Sequence, residues 1–364
     1  MKINLIFFLA RFGFGGAGNS VFKLASSLNS RKFQISVICL GNCAYENLLK
    51  KKKITVHKLS SKRLLFSFFQ LKKIINKLIK PKNKNIFISN INYTNIFCSI
   101  ILGKRKNIKL IGIERTPLKE LEIYFGLIDF LKKFILKILL RIYYSNFDKI
   151  VCNSKYISNY LKLKYNYNSI TIHPPSIDSN KTILKKKLNN KSLNITTVSR
   201  LSKEKRLQHI IFAISQVKEK NIILNIIGDG PEKNYLKEIT KKLNLNKNVK
   251  FHGHQKKIFK LLIKSDLYIN ASYFEGFPNS VVEAASLGIP VISSQSHGGI
   301  NEILSNGKFG EIYYNGYFDL ASKIKNYIND PKIFIQKAKL AQKNVLKFNL
   351  NNHKKKFENL FNKI

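Results

Sequence analysis

The most informative stretch of the chain is 275–291, EGFPNSVVEAASLGIPV, because two carboxylates frame a helix start. Glu275 precedes a Gly-Phe-Pro turn, and Glu283 follows about two helical turns later. Asn279 and Ser280 are residue types that cap helix N-termini, so the helix is predicted to begin there. Unpaired N–H groups at such a start, Val281 among them, attract anions. The arrangement suits a ligand that carries phosphate and sugar hydroxyl groups; the alternative is a solvated helix with an ordinary cap.

A glycine-rich loop follows the first predicted strand. Residues 13–18, GFGGAG, satisfy G-x-G-x-x-G between a strand and a helix, a pattern typical of dinucleotide sites. Such a site also needs an acidic residue about 20 positions further on, at the end of the second strand. That strand ends at Gly41, and the next acidic residue is Glu46. An NAD-dependent oxidoreductase therefore stays open only as an alternative.

The string around Glu275 and Glu283, with its Gly-Phe-Pro and Leu-Gly-Ile-Pro-Val context, resembles the nucleotide-sugar site of the family-4 retaining glycosyltransferases. A second segment, 199–206 (SRLSKEKR), is similar to the family's Gly-Arg-Leu-x-x-x-Lys motif, with Ser199 in place of the usual glycine. The resemblance covers nearly the whole chain and is most specific from Ser199 to Gly310. It implies the GT-B fold: two Rossmann-like α/β domains facing a cleft, with a C-terminal helix that crosses back to the N-terminal domain.

The resemblance also implies roles for charged residues. Arg200 and Lys205 correspond to the two cations that hold the donor diphosphate, and fixed cations stabilise the charge that a departing diphosphate gains. Glu275 is expected to contact hydroxyls of the transferred sugar, which makes Glu275, Arg200 and Lys205 the candidate catalytic residues. Lys203 and Arg206 are expected to be solvated.

Glycines complete the expected donor site. Gly15 and Gly16 would lie against the donor phosphates, where a side chain would prevent close approach. Gly228 belongs to a turn similar to the family's Gly-x-Gly-Pro, for which a purely structural role is the alternative. Gly253 corresponds to the place where the backbone meets the nucleobase, and Glu283 would accept hydrogen bonds from the ribose. The expected donor-binding set is Gly15, Gly16, Gly228, Gly253, Asn279, Ser280, Val281 and Glu283.

Glu114 and Arg115 end a predicted N-terminal strand, where many relatives carry a histidine near the transferred sugar. The two side chains are expected either to bind the acceptor or its phosphate, or to pair with each other. No two aspartates stand two positions apart, so the Asp-x-Asp metal motif of the other main glycosyltransferase fold is absent. His252 and His254 lack partners that would complete a metal site. We therefore expect no metal and no cofactor beyond the donor substrate.

Short apolar segments alternate with amphipathic ones, which predicts parallel sheets covered by helices. The predicted strands are 3–10, 33–40, 84–90, 109–114, 149–153, 194–199, 222–227, 249–252, 267–270 and 291–293. The predicted helices are 19–28, 207–217, 233–243 and 332–364. The predicted domains are residues 1–178 on the acceptor side, 179–345 for the nucleotide sugar, and a crossing helix over 346–364. The polar stretch up to Ser192 is predicted to be a linker.

The net charge of +45 is spread over both halves of the chain and favours anionic partners: phosphate groups, acidic lipid surfaces or nucleic acid. Two amphipathic stretches, 64–79 and 118–142, could each dock on an anionic membrane surface. The second carries a narrow polar stripe, and the preferred interpretation of either one alone is core packing with that stripe in solvent. Cys39, Cys43, Cys98 and Cys152 are expected to be free and mostly buried, in a reducing compartment. No apolar run reaches the roughly 18 residues of a spanning helix.

The sequence thus predicts a retaining, metal-independent hexosyltransferase. The donor would be a nucleoside-diphosphate sugar, and the acceptor a glycan or a lipid-linked molecule of cell-surface polysaccharide or lipopolysaccharide synthesis. The expected location is the cytoplasm, at the inner face of the cytoplasmic membrane. A soluble acceptor is the first alternative. A polyanion-binding protein is another, although the chain has no recognised nucleic-acid-binding motif or aromatic-basic platform.

Overall fold

The computed structural model describes residues 2–61, 63–124, 126–178, 192–219, 221–255 and 257–364. The chain divides into two compact units, Met1–Pro175 with Leu350–Ile364, and Ser176–Asn349. These bounds differ by a few residues from the predicted domain limits at 178 and 345. The predicted linker over 179–191 lies outside the described residues.

The N-terminal unit contains, within the described residues, a parallel sheet of seven strands in the order β3-β2-β1-β4-β5-β6-β7. Its strands are β1 (Ile3–Leu9), β2 (Phe33–Leu40), β3 (Thr55–Leu59), β4 (Asn85–Asn90), β5 (Lys109–Glu114), β6 (Lys149–Cys152) and β7 (Ser169–Thr171). Its first six helices are α1 (Gly16–Ser27), α2 (Glu46–Lys51), α3 (Phe68–Leu78), α4 (Asn92–Leu102), α5 (Leu127–Tyr143) and α6 (Lys155–Tyr165).

Strand β1 lies between the two apolar cores that cover the faces of the N-terminal sheet. Its side chains alternate between two cores: Leu5 and Phe7 join the core of α1, whereas Ile6 and Phe8 join the core of α3 and α4. A parallel strand buried on both faces reads as a continuous apolar run, which is what the first residues show. The prediction that this run is a buried strand is confirmed.

The C-terminal unit contains, in its described part, a parallel sheet of six strands in the order β10-β9-β8-β11-β13-β15, and a separate pair of β12 with β14. Its strands are β8 (Leu193–Val198), β9 (Ile222–Ile227), β10 (Val249–Phe251), β11 (Leu267–Asn270), β12 (Phe274–Glu275), β13 (Val291–Ser294), β14 (His297–Gly298) and β15 (Glu311–Tyr313). Its helices are α7 (Leu207–Ser215), α8 (Lys233–Lys242), α9 (Phe259–Leu262), α10 (Asn279–Ser286), α11 (Ile300–Leu304), α12 (Gly316–Asn329) and α13 (Pro331–Val345).

The last helix, α14 (Leu350–Lys363), belongs to the N-terminal unit although it follows the C-terminal unit in the chain. Phe361 of α14 packs against Phe33, with ring centroids 6.0 Å apart, and Phe357 joins the same core. The region predicted as helical over 332–364 is therefore two helices, separated by a 3-10 turn at Leu346–Phe348. Among the helices of the described residues, none is both long enough and apolar enough to cross a membrane.

Several predicted bounds were wrong for local reasons. Helix α1 begins at Gly16, three residues earlier than predicted, because the glycine loop continues directly into the helix. The amphipathic stretch over 118–142 is a 3-10 turn at Leu118–Glu122 followed by α5, and Gly126, with φ +106°, separates them. Strands β3, β7 and β15 were not predicted, because they are short and lack a continuous apolar run. The four cysteines are free and buried, as predicted.

The turn after β9 packs directly on the segment after β8. Gly228 has φ +138°, and a Cβ atom there would lie 1.9 Å from the carbonyl oxygen of Ser199. A Cβ atom on Gly230 would lie 2.3 Å from the carbonyl oxygen of Leu201. Only glycine permits these two contacts, so the turn holds the backbone on both sides of Arg200.

Replacing Gly228 with alanine should therefore destabilise the C-terminal unit. We expect Gly228→Ala to lower the free energy of unfolding by at least about 2 kcal/mol, because the new Cβ atom would clash and the backbone angle would be strained. Urea unfolding followed by circular dichroism measures this change. Gly13→Ala is the control, since a Cβ atom at Gly13 would meet no atom within 4 Å. Equal midpoints for the two variants would contradict the role assigned to Gly228.

A buried acidic group lies at the carboxyl end of β5. Glu114 is fully buried, and its Oε1 accepts hydrogen bonds from the Tyr144 hydroxyl and, at 2.6 Å, from Asn95 Nδ2. Its Oε2 is buried without a hydrogen-bond partner among the described residues. Burial raises the pKa of Glu114 to about 7, and the two hydrogen bonds oppose that rise. The carboxyl group is therefore close to half protonated at neutral pH.

This raised pKa predicts a pH-dependent stability. Folded Glu114 holds a proton that the unfolded chain releases from about pH 4.5 upward, so its contribution to the free energy of unfolding falls between about pH 4.5 and 7. Glu114→Gln keeps an acceptor oxygen and cannot titrate. Relative to this variant, the wild type should lose about 2 kcal/mol of stability between pH 5 and 8, measured by urea unfolding.

The control for this experiment is Glu238→Gln, at an exposed position of α8. It should show the same pH dependence as the wild type. If wild type and Glu114→Gln respond equally to pH, Glu114 does not carry this effect.

Candidate functional site

Lys205 and Glu275 form an ion pair within the C-terminal unit. Lys205 lies in a 3-10 turn, Lys203–Lys205, shortly after β8, and Glu275 is the last residue of β12. Lys205 Nζ is 2.6 Å from Glu275 Oε1, and the two side chains are 16% and 19% exposed. Because both charges are largely removed from water, their attraction is stronger than that of a surface pair. Two of the three predicted catalytic residues are thus in direct contact.

Arg200, the third predicted catalytic residue, lies five residues before Lys205 in the chain and is exposed. Its carbonyl oxygen accepts a hydrogen bond from the Ser202 N–H. Its guanidinium makes no hydrogen bond or ion pair in the part of the chain that the structure describes. The turn at Gly228 and Gly230 positions its backbone while leaving the cationic end open to an anionic ligand.

Glu275 is held by its own backbone and by a serine. A Cβ atom on Gly298 would lie 1.4 Å from the Glu275 carbonyl oxygen, so β12 and β14 meet where only a glycine fits. The same carbonyl accepts a hydrogen bond from Gly299 N–H at 3.2 Å. The Ser272 hydroxyl lies 3.1 Å from Glu275 Oε1 and 2.9 Å from Asn270 Oδ1. These contacts fix the direction of the carboxylate.

Arg206 was predicted to be solvated, and that prediction is wrong. Its backbone is left-handed, with φ +46°, and its Nε donates to the carbonyl oxygen of Ala271 at 2.9 Å. The guanidinium lies over the Tyr273 ring, 5.1 Å from the centroid, and burial lowers its pKa. Arg206 therefore ties the turn of Lys205 to the loop that leads to Glu275. Lys203 is exposed, as predicted.

Helix α10 begins at Asn279, close to the predicted start, but it is capped differently. Pro278 occupies the N-cap position, and no side chain caps the helix. Asn279 Oδ1 instead accepts a hydrogen bond from Ser176 Oγ at 2.8 Å. Ser280 lies near the Tyr268 hydroxyl and lowers its pKa, opposing the effect of burial. The prediction that Asn279 and Ser280 act as caps is therefore wrong.

The N–H groups at this helix start also differ from the prediction. Those of Val281 and Val282 donate to the Pro278 carbonyl oxygen, at 3.1 and 3.3 Å. Of the N–H groups of Ser280, Val281 and Val282, that of Ser280 has no backbone acceptor among the described residues. An anion at this helix start would therefore meet fewer free donors than the sequence predicted.

Tyr268 lies near the two glutamates and was not predicted as a site residue. Its hydroxyl contacts Val198 at the end of β8, donating to the carbonyl oxygen at 3.3 Å. Burial raises the pKa of Tyr268, and the nearby charges of Glu283 and Glu275 raise it further. Both glutamates thus lie near one hydroxyl group at the carboxyl ends of β8 and β11. A lone tyrosine in an apolar strand is the only sequence signal for it.

The two glycines predicted near the nucleotide are joined by a hydrogen bond. Gly228 N–H donates to the Gly253 carbonyl oxygen at 2.8 Å. Nearby, His252 Nε2 is 2.8 Å from Asn225 Oδ1, so this histidine has a structural partner. Within the described ranges, no group of three or more histidine, cysteine or acidic side chains is placed to hold a metal ion.

The predicted residues of the N-terminal unit separate into open and buried groups. Gly15 is the N-cap of α1 with no side-chain cap, and Gly16 is its first residue; both are exposed. Gly18 is instead structural, because a Cβ atom there would lie 2.0 Å from the Gly13 carbonyl oxygen. The open start of α1 can therefore accept an anion.

Glu114 and Arg115 do not pair with each other, which removes one of the two alternatives. Arg115 donates from Nε and Nη2 to Asn90 Oδ1, at 3.0 and 2.9 Å, whereas Glu114 bonds to Tyr144 and Asn95. Burial lowers the pKa of Arg115 to about 10, so it stays cationic at neutral pH.

His353 of α14 lies near Arg115 and was not predicted. Its Nδ1 is 2.7 Å from the His173 carbonyl oxygen. Burial lowers the pKa of His353 to about 3, and the charge of Arg115 contributes to this shift. The histidine is therefore neutral, whereas Arg115 next to it is cationic.

Known proteins match both units. Residues 178–345 match the family model of glycosyl transferases group 1, and residues 14–181 match that of glycosyltransferase family 4. An uncharacterised glycosyltransferase of Methanocaldococcus jannaschii is 30% identical over 295 residues, which is 74% of this chain and 71% of the relative. An Escherichia coli UDP-Gal:alpha-D-GlcNAc-diphosphoundecaprenol alpha-1,3-galactosyltransferase is 29% identical over 192 residues, 50% of this chain and 48% of the relative.

Solved structures show the same fold at low identity. An Anabaena protein, HepE, solved in complex with UDP-glucose, has a TM-score of 0.81 at 18% identity over the full length of both chains. A glycosyltransferase from Rickettsia africae has a TM-score of 0.78 at 20% identity, over all of this chain and 98% of the other. The fold is therefore GT-B. With its family matches and its archaeal relative, the chain belongs to the family-4 glycosyltransferases.

Proposed function

We propose that this glycosyltransferase moves a hexose from a nucleoside-diphosphate sugar, of the UDP type, to a glycan or lipid-linked acceptor. The observation that carries the proposal is the Lys205–Glu275 ion pair, with Arg200 exposed five residues before Lys205 in the chain. Two cations and a carboxylate match the diphosphate and the sugar hydroxyls of such a donor. The Anabaena structure contains UDP-glucose, and the name of the Escherichia coli relative specifies a UDP-sugar and a diphosphoundecaprenol-linked acceptor.

The ion pair suggests how the donor is received. A diphosphate that approaches Arg200 and Lys205 competes with Glu275 for the ammonium group. Once Lys205 turns to the diphosphate, Glu275 Oε1 becomes available to accept hydrogen bonds from the sugar. The Ser272 hydroxyl and the Gly298 backbone keep the carboxylate in place during this exchange. Glu283 accepts hydrogen bonds from the ribose.

Transfer then breaks the bond between the anomeric carbon and the diphosphate oxygen. The acceptor oxygen forms its bond to that carbon on the same face, so the anomeric configuration is retained. The acceptor proton passes to the departing diphosphate, whose added charge Arg200 and Lys205 stabilise. No metal is needed for this step, since the two cations supply the positive charge.

The N-terminal unit would supply the acceptor side. Arg115, held by Asn90 and cationic at neutral pH, suits the phosphate of a lipid-linked acceptor. Glu114 is fully buried at the end of β5, so it positions its neighbours and does not contact the acceptor. Gly15 and Gly16 offer open backbone to the donor phosphates. We place the enzyme in cell-surface polysaccharide or lipopolysaccharide synthesis, in the cytoplasm at the inner face of the cytoplasmic membrane.

Donor binding is tested by thermal shift. UDP should raise the melting temperature of the wild type, because a ligand that binds only the folded state stabilises it, and NAD should not. Lys205→Ala should abolish most of the shift. Lys203→Ala is the matched control, since Lys203 lies in the same turn but is exposed, and its shift should equal that of the wild type. A shift with NAD alone would overturn the proposed donor.

Transfer is tested by steady-state kinetics with a UDP-hexose and an undecaprenyl-diphosphate-linked sugar. Arg200→Ala and Glu275→Gln should each lower kcat by about 10² to 10³, because each removes one fixed electrostatic contact to the reacting groups. Lys203→Ala should keep kcat within about twofold of the wild type. Near-wild-type transfer by both Arg200→Ala and Glu275→Gln would show that the reaction does not use this site.

A further inference from the structure

Helix α5 exposes apolar side chains to an unusual degree. Leu140 is its one fully buried residue. Leu127 is 74% exposed, and further large apolar side chains are exposed at helical spacing along the same helix. We call the following set the apolar face of α5: Leu127, Ile128, Phe134, Ile135 and Ile142. Isolated exposed apolar residues are common on proteins, but a contiguous face of this kind marks an interaction site.

Two lysines of the polar stripe of α5 are bonded within their own unit. Lys133 is only 14% exposed and donates to the Ile123 carbonyl oxygen at 2.7 Å and to Asp129 at 2.8 Å. Lys137 donates to the Tyr124 hydroxyl at 2.6 Å. Because Leu140 is its one fully buried residue, the core packing that was preferred from the sequence is wrong for α5. The helix holds its inner polar groups in hydrogen bonds and presents the apolar ones outward.

A second apolar segment lies on the same side of the N-terminal sheet. Residues 65–69 form a 3-10 turn and the start of α3, and Leu65, Phe66 and Phe69 are exposed, the last at 83%. Helix α4 packs against both α3 and α5. The side chain of Ile100, on α4 between them, is exposed as well. The two apolar segments are thus parts of one helical layer.

Basic side chains accompany both segments. Lys132 and Arg141 are exposed on α5, and Lys72 and Lys73 are exposed next to Phe69 on α3. The chain as a whole carries +45, so a second copy would be repelled by charge. Apolar residues beside lysine and arginine match a surface that offers both acyl chains and phosphate groups.

We propose that the apolar face of α5 and the segment 65–69 form the surface by which the N-terminal unit docks on an anionic lipid bilayer. The helix lies in the plane of the membrane, with its apolar side chains among the acyl chains. Lys132, Arg141, Lys72 and Lys73 contact the lipid phosphates. This proposal rests on the proposed function in one respect: docking places the enzyme where a lipid-linked acceptor resides.

The absence of tryptophan from the chain makes insertion directly measurable. Ile135→Trp introduces a single fluorophore on the apolar face of α5, and Leu163→Trp introduces one at an exposed position of α6. With vesicles of phosphatidylglycerol and phosphatidylcholine, Ile135→Trp should shift to shorter wavelength and be quenched by brominated acyl chains, whereas Leu163→Trp should not. Equal quenching of both, or of neither, would overturn the proposed surface.

Vesicle co-flotation of the full chain tests the residues together. Wild type should bind vesicles that contain phosphatidylglycerol, and should bind pure phosphatidylcholine at least about tenfold more weakly. Phe134→Ser with Ile135→Ser should weaken binding by about tenfold or more, and Phe66→Ser with Phe69→Ser should also weaken it. Leu163→Ser, the matched control, should bind as the wild type does. Urea unfolding of each variant confirms that the fold is kept.

Other occupants of this surface would give different results. A dimer of the wild type that the Phe134→Ser, Ile135→Ser variant converts to a monomer, without vesicle binding by either, would show a self-interface and overturn the proposal. If the wild type and both double variants bind vesicles equally, the binding comes from the overall positive charge of the chain. That result would also overturn the proposed surface. The thermal shift with UDP separates the docking surface from the proposed function. A normal shift without vesicle binding refutes the docking surface alone. Vesicle binding without a shift refutes the proposed function alone.

Discussion

The contact between Lys205 and Glu275 is the interaction on which the candidate site depends. It joins a turn after β8 to the end of β12, about 70 residues apart in the chain. Each side is held by close backbone packing: the Gly228 turn presses on the segment of Arg200, and Gly298 presses on Glu275. Arg206 connects the same two segments through Ala271 and Tyr273. The charges are thus set by contacts that permit little movement, which suits groups that must act electrostatically.

The two units differ in which of their polar side chains they bury. The C-terminal unit leaves Arg200 open and keeps Glu275 in exchangeable contact with a cation. The N-terminal unit buries Glu114 and neutralises His353, which leaves Arg115 as the cationic group beside them. Its helix α5 bonds Lys133 and Lys137 within the unit and exposes large apolar side chains. In both units, the burial of particular side chains decides which polar groups remain available to a ligand.

Much of the fold could be predicted because parallel strands buried on both faces are continuous apolar runs. Strands β1, β2 and β5 were predicted with few or no errors at their ends for that reason. Strands β3 and β15 were missed, since edge strands need fewer apolar residues and their signal is short. Gly126 interrupts what looked like one helix, because local periodicity does not show where a glycine adopts a positive φ.

The sequence by itself determined the family, the alternation of strands and helices, and the residue types of the donor site. Sequence motifs indicate these features, because a diphosphate and a sugar require cations, carboxylates and tight glycine turns at set positions. Only the tertiary structure decided which side chains meet: that Glu275 pairs with Lys205, that Pro278 and not Asn279 caps α10, and that Tyr268 lies near both glutamates. It also decided that α5 exposes its apolar side chains instead of burying them. These outcomes depend on competition between partners that are distant in the chain, and local pattern carries no information about which partner is nearer.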